Sequence, residues 1–462
     1  MNCFPVVSRL FLSVLLFCVS LISFAQEDYL EPVISNENTD KNQSIIAETQ
    51  RGLLRFESRD QRYRLWFNAR AQIDGAYFFG EQLNPIGNGV MLRRAHFGAR
   101  AFLGPCWYAE LTVNFSGSKI DIKDVYLMYR FHDSESNIFD VGGIRFGNFK
   151  ESFSLESMTS SMNLVFIERA TVVNALAPSY HLGVQAFYNY KWLTGFAGIH
   201  FQNILSNRAV QTSQNANKNE GIDEGISYTG KLVAMPFYNQ ENFGLHIGGA
   251  FSYRTPKTDA DLPNSVHYSS YAGTQINRKQ YLDTDIITDV HHSMLAGVEL
   301  SGYYKGFKIQ SEFIWNSVHR NNDLATENQS GFYVFGSAML FGGYYTYNLG
   351  AAEYAQPTRG KNWGDLELAF RYDYMNMNGV NIMGGASESY TVGLNYHMSY
   401  NVKFALNYTY TNHDRYANAN GTLYVGYDNN GDLTKDSSLV IVEKGKSGDD
   451  FGFISARLQY SF

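Results

Sequence analysis

From Arg62 onward the chain alternates. Tyr63, Leu65, Phe67, Ala69, Ala71 and Ile73 fall on one face, and Arg62, Arg64, Trp66, Asn68, Arg70, Gln72 and Asp74 on the other. Period two over this length is a β-strand with one oily and one polar side. The pattern recurs at once. Ala95, Phe97, Ala99, Ala101 and Leu103 oppose Arg94, His96, Gly98, Arg100 and Phe102, and a tight Gly104-Pro105 turn follows. Trp107, Ala109, Leu111, Val113 and Phe115 then oppose Tyr108, Glu110, Thr112, Asn114 and Ser116. After Gly117-Ser118, Val125, Leu127, Tyr129 and Phe131 oppose Asp124, Tyr126, Met128 and Arg130, and a fifth strand runs from about 137 to 147.

The same reading predicts strands near 180–190, 192–203, 224–235, 242–254, 287–302 and 306–317, then 331–346, 363–375, 387–400, 402–411 and 450–462. About sixteen strands result, the size class of barrels that leave an aqueous channel. Even parity returns the C-terminus to the side of the N-terminus, as single-chain bacterial barrels require. The last strand places Ile454, Ala456, Leu458, Tyr460 and the terminal Phe462 on one face, with Ser455, Arg457, Gln459 and Ser461 on the other. A terminal aromatic on such a strand resembles the signal read by the barrel-assembly machinery.

One connection breaks the rhythm. Residues 148–178 form a loop too long for a compact domain unless it works for a living, and too apolar for disorder, with Leu164, Val165, Phe166 and Ile167 beside Glu168 and Arg169. It reads as a segment that folds into an enclosed space and anchors there, the constriction of a pore. The other long connections, 204–222, 255–285 and 412–449, fall on the same outward side, whereas the turns at Gly104-Pro105, Tyr190-Lys191 and Tyr400-Asn401 are short. The connection 347–362 is longer than its inner side predicts.

Composition agrees. Hydrophobic residues make up 44% and aromatics 15%, yet after residue 25 no apolar run approaches the roughly 20 residues of a spanning helix. Alternation hides that hydrophobicity in a transmembrane antiparallel β-barrel. Met1–Ala25 has one early positive charge, Arg9, an apolar run from Leu10 to Ile22 and the small-residue end Ser23-Phe24-Ala25, the order of a signal peptide cut before Gln26. Cleavage removes Cys3 and Cys18 and leaves Cys106 alone, so an internal disulfide and a multi-cysteine metal site are excluded. It also removes the single charge of Arg9, taking the net charge from −7 to −8, with no sign of nucleic-acid binding. Residues 26–51 are expected to be a flexible periplasmic lead-in and 52–462 the barrel.

Several segments in order resemble the phosphate-selective porins O and P in a Bacteroidetes-like form. They are Gly52-Leu53-Leu54-Arg55-Phe56, Leu65 to Gln72, Arg93-Arg94-Ala95, Ile122-Lys123-Asp124-Val125-Tyr126, Gly147-Asn148-Phe149-Lys150, Leu155 to Ser161, Ile167-Glu168-Arg169 and Trp363 to Ala369 with Arg371-Tyr372. The resemblance implies a sixteen-stranded trimeric porin of the bacterial outer membrane whose third outward loop folds into the lumen. It implies wall arginines at Arg70 and Arg93-Arg94, loop hydroxyls at Ser160 and Ser161, a loop guanidinium at Arg169 and a counter-acid at Asp124.

The residues themselves place Arg64, Arg70, Arg94, His96 and Arg100 on polar, lumen-side faces. Guanidinium forks suit oxyanions and set anion preference in pores. By strict alternation Arg93 points outward. Phosphate-specific relatives carry a lysine three residues before the first loop serine, where this chain has Ser157.

The expected solutes are therefore small anions such as phosphate, with no enzyme activity and no cofactor. A general or other-nutrient porin without a phosphate site, and a barrel-anchored surface protein working through its outer loops, are the competing readings. Asp428-Asn429-Asn430-Gly431-Asp432 has the oxygen spacing of a calcium loop but lacks its glycine and closing glutamate, and reads as a solvated turn. His291-His292 reads as a strand entrance.

Overall fold

In a computed structural model of the protein, sixteen strands close into an antiparallel barrel. The structure describes residues 45–50 and 53–462, apart from 61, 81–82, 118–119, 132–137, 140, 202–224, 241, 257–263, 277–278 and 443–446. The expected signal peptide and residues 26–44 of the lead-in lie outside the described residues.

β1 (Ile45–Gln50) and β2 (Leu53–Ser58) form a hairpin, within and just beyond the stretch read as lead-in. β2 pairs with the start of β3 (Tyr63–Phe79), Arg55 opposite Trp66. The wall continues through β4 (Gly89–Leu103), β5 (Trp107–Asn114), β6 (Asp121–Arg130) and β7 (Gly142–Lys150). After the long loop come β8 (Tyr180–Tyr190), β9 (Leu193–His200), β10 (Ser227–Ala234) and β11 (Phe243–Arg254). β12 (Val266–Ser270) and β13 (Leu282–Ile287) make a separate hairpin in the next outer connection. β14 (Val290–Tyr304), β15 (Phe307–Arg320) and β16 (Glu327–Met339) resume the wall. A two-by-two hairpin, β17 (Tyr347–Asn348) and β18 (Glu353–Tyr354), precedes β19 (Asp365–Asn378), β20 (Met383–His397) and β21 (Val402–His413). β22 (Gly426–Tyr427) and β23 (Leu433–Thr434) sit in the last outer connection, and β24 (Phe451–Ser461) closes the cylinder on β3, with Ile454 opposite Tyr77 and Leu458 opposite Ile73.

Alternation decides which way each residue faces. Val298 and Leu300 on β14 are 60% and 54% exposed on the outer surface, while Glu299 and Ser301 between them are 5% and 0% exposed inside. On β15, Phe307 and Ile309 face out and Lys308 and Gln310 face in. Apolar side chains toward lipid and polar ones toward the lumen are the arrangement a spanning barrel needs.

Residues 151–179 run inside the barrel. They contain two short helices, α1 (Leu155–Met158), capped by the Ser154 side chain, and α2 (Thr171–Leu176). Phe153, Val165, Phe166, Val172, Val173 and Leu176 pack with Leu295, Ile314, Tyr333, Phe335, Ala369 and Met375 of the wall, and with Tyr281, Leu282 and Ala417 of outer connections. An apolar core thus fills the part of the lumen against β14–β19. The space that remains lies along β3–β9.

The unexpectedly long inner connection, 340–364, does not hide a strand pair of the wall. Its β17–β18 hairpin turns into the lumen, where Tyr354 is buried with its hydroxyl 2.6 Å from Ser301 Oγ and Asn163 of the loop donates to its carbonyl at 3.4 Å.

Two of the wall's bulges shift the inner face along β4 and β6. Gln72 pairs with Arg94 but Ile73 pairs with Leu92, so Arg93 is an extra residue in β4. Leu111 pairs with Val125 and Val113 with Ile122, which leaves Lys123 and Asp124 opposite Thr112 alone. A bulge places two consecutive residues where alternation allows one, and both pairs line the lumen. The outward direction expected for Arg93 is corrected by this extra residue.

Candidate pore constriction

The free space against β3–β9 is a cavity of about 710 Å³, walled by strand residues, the inward loop and the inward hairpin. Arg70, Arg94, His96, Arg100, Asp124, Ser160, Ser161 and Arg169 all line it. Arg64 does not share it; its guanidinium lies 4.5 Å over the Phe102 ring.

The cations divide by what they already hold. Arg93 grips Glu168 of the loop with two bonds, Nε to Oε1 at 2.6 Å and Nη2 to Oε2 at 3.2 Å. Arg457 reaches the same carboxylate at 3.3 Å while making two 2.7 Å bonds to Asp74. Arg94 donates to Gln72 Oε1 at 2.8 Å and stands 4.0 Å from Glu168. These guanidinium groups hold the Glu168 carboxyl well below the usual carboxylate range despite its burial. Arg371 adds a 2.9 Å bond to the Glu168 carbonyl. Arg93 and Arg94, the expected selectivity pair, are thus largely spent on anchoring the loop. Arg100 is likewise paired, with Glu110 at 2.8 Å.

Backbone bonds from the wall complete the anchor. Gln72 donates to the Ser161 carbonyl, Asn395 to that of Val165 and Lys403 to that of Leu164, at 3.1, 2.7 and 2.8 Å. On the far side Leu155 N–H donates to Glu299 and Glu312, and Glu156 N–H to Glu312.

Arg70 is different. Its two terminal nitrogens donate to Ser161 Oγ and, at 3.5 Å, to Ser160 Oγ. A hydroxyl that accepts from a guanidinium is free to aim its own proton at an anion. Arg70 Nε and the nearby His96 Nε2 are buried without a protein partner among the described residues, which leaves the Arg70 Nε–H unused at the wall. Arg169 donates to the carbonyls of Glu156, Ser157 and Thr159, so it shapes the loop turn, and no carboxylate stands within ion-pair distance of it among the described residues. Where the family's lysine is missing, Lys150 at the end of β7 donates to the Ser157 carbonyl at 2.6 Å and brings an ammonium to the same place.

Lys123, Arg145, Lys150 and Glu353 line the cavity without having been singled out in the sequence. The phase of the apolar residues could have found Lys123: it runs even at Ile120 and Ile122, then odd from Val125. The same change from Val90 and Leu92 to Ala95 and Phe97 marks the bulge at Arg93. Nothing local marks Glu353, which comes from across the barrel. In the outer loop, Asp428 Oδ1 accepts from the backbone of Asn430 and Asp432 at 2.8 and 3.0 Å, a self-capped turn, and no metal-binding cluster is found among the described residues. His292 stacks on His319 at 4.4 Å at a strand entrance.

A closed sixteen-stranded barrel, oily outside and polar within, narrowed by an anchored loop, is an outer-membrane porin. The chain belongs to the phosphate-selective porin O and P family, whose family model matches residues 67–431. It resides in the bacterial outer membrane. An uncharacterized protein of Caulobacter vibrioides is 24% identical over 330 residues, 70% of this chain but only 63% of that relative. The fold is similar to that of OmpT from Vibrio cholerae, with a TM-score of 0.51 at 12% identity over 87% of this chain and 98% of that one. An anion-selective porin from Comamonas acidovorans gives a TM-score of 0.48 at 10% identity, over 87% of this chain and all of that one.

Proposed function

We propose that this porin passes small oxyanions, phosphate among them, by passive diffusion, with Arg70, Ser160, Ser161, Arg169 and Lys150 as the anion contacts. The observation that carries this is the Arg70 guanidinium, bonded to two hydroxyls and to no carboxylate among the described residues, with its Nε–H unused. Charge-assisted bonds from a planar fork and adjacent hydroxyls match an oxyanion, and they act in a space screened by protein on most sides. Arg64, Arg93, Arg94 and Arg100 contribute to the field of the wall and the fixing of the loop. Asp124 is a counter-charge that keeps an anion from being trapped, since conduction requires binding weak enough to release.

The second reading, a general porin with no phosphate site, draws on Ser157 in place of a lysine and on the carboxylates of Asp124 and Glu353 in the cavity. Titrating phosphate against chloride current separates the two. Phosphate-selective behaviour predicts block that weakens in Arg70→Gln; a general porin predicts current indifferent to phosphate in both proteins.

Assembly as a homotrimer, insertion by the barrel-assembly machinery and contact with outer-membrane lipid belong to the same reading, which the family and the oily outer face support. Migration on unheated gels at three times the monomer mass tests the trimer.

A further inference from the structure

Glu353 reaches the constriction from the periplasmic end. The β17–β18 hairpin fixes its backbone opposite Asn348, and the neighbouring Tyr354 is pinned by Ser301 and by Lys308, whose ammonium lies 4.4 Å from its ring. The carboxylate shares the cavity with Arg70, Lys150 and Arg169, the cations that carry the proposed anion contact. No hydrogen bond or ion pair of its own side chain is found among the described residues, so its charge is not consumed locally.

The charged groups facing it come from every surrounding element. Arg100 of β4 is already paired with Glu110, and Lys231 of β10 with Glu299 at 2.7 Å. Arg145 of β7 is bonded to Gln185, the carbonyl of Lys150 and Ser152. Asp124 of β6 adds a like charge, and Tyr347 of its own hairpin is tied to His246. Lys150 and Arg169 have no carboxylate partner among the described residues. Relative to a wall without it, Glu353 subtracts one positive charge from the narrow zone.

On the reading that this zone passes anions, we propose that Glu353 is a specificity-determining residue, a counter-charge delivered by the inner hairpin that tempers anion preference and makes it depend on pH. Burial pushes its carboxyl up, to about 7, against the pull of Lys150, Lys231, Arg100 and Arg169. Protonation at acid pH removes the counter-charge, and anion preference rises; ionisation at alkaline pH restores it, and preference falls.

The test is the reversal potential of the full-length protein in a planar bilayer under a potassium chloride gradient, from pH 5 to pH 9, without phosphate. In the unsubstituted protein the chloride-to-potassium permeability ratio falls as pH rises. Glu353→Gln raises the ratio at pH 9 roughly fivefold, the order expected for one unit charge acting at short range through water, and flattens the profile. Glu353→Asp keeps the original profile, which separates charge from shape. A profile that persists unchanged in Glu353→Gln overturns the inference and assigns the titration to another group such as His96. A pore that is anion-selective but pH-independent overturns it as well. A cation-selective unsubstituted pore removes the anion reading itself.

Discussion

Glu168, on the inward loop, is held by Arg93 through two hydrogen bonds of 2.6 and 3.2 Å, and the β-bulge in β4 is what turns Arg93 inward to make them. The residue that alternation sends to lipid is thus the main clamp on the constriction. Breaking a buried pair leaves an uncompensated charge and costs about 3–5 kcal/mol. Glu168→Gln is expected to unlatch the loop, raise single-channel conductance and lower the temperature at which the barrel loses its compact gel mobility. Bilayer recording and heat-modifiability measure both; unchanged conductance and heat resistance would show that the backbone bonds suffice.

The same carboxylate gives a stability profile. Its folded value is depressed, so the stabilisation is fully present above the ordinary carboxylate value of about 4.3 and is lost as pH falls below it, through the folded value. Heat resistance is expected to be level from pH 8 to pH 5 and to decline below about pH 4.

Ser160→Ala with Ser161→Ala removes two hydroxyls from the Arg70 fork while leaving the loop backbone bonds to Gln72 in place. Hydrogen bonds to charged groups are worth about 1.5–3 kcal/mol. The half-blocking phosphate concentration is expected to rise about 10- to 100-fold, with the open-channel conductance little changed. An equal block in the double variant would move the anion contact elsewhere.

Phe166 lies 5.5 Å from Phe335, ring centre to ring centre, and under the Arg371 guanidinium at 4.6 Å. Phe166→Ala is expected to cost about 3–5 kcal/mol, seen as noisier current and earlier thermal unfolding, without a change in charge selectivity.

Gly147 has a φ of +133°, and a Cβ there would meet the Val125 carbonyl oxygen at 2.2 Å. Gly147→Ala is expected to prevent the β6–β7 junction from forming and to abolish heat-modifiable barrel, read on gels of outer membranes. Normal assembly would show that the junction can relax.

The wall was legible because lipid outside and water inside write themselves into every second residue: β8 was expected at 180–190 and is found at Tyr180–Tyr190, and β24 was expected at 450–462 and is found at Phe451–Ser461. The inward loop was legible from Leu164 to Ile167, four apolar residues with no strand partner in sequence. Roles within the cavity were harder. Arg93, Arg94 and Arg100 look alike in sequence to Arg70, and only the partners Glu168, Gln72 and Glu110, brought from other strands or the loop, separate clamps from free donors. Lys150 standing at Ser157, and Glu353 arriving on the inner hairpin, are long-range meetings that no local pattern encodes.

The central claim is that the Arg70 guanidinium, bonded to two hydroxyls, makes the constriction an oxyanion site, and reconstitution in a planar bilayer tests it most directly. Reversal potential in a chloride gradient and current under phosphate titration are recorded together. The account predicts anion-selective current that phosphate blocks, with block weakened in Arg70→Gln and Arg169→Ala. Ohmic current indifferent to phosphate, or selectivity for cations, would contradict it.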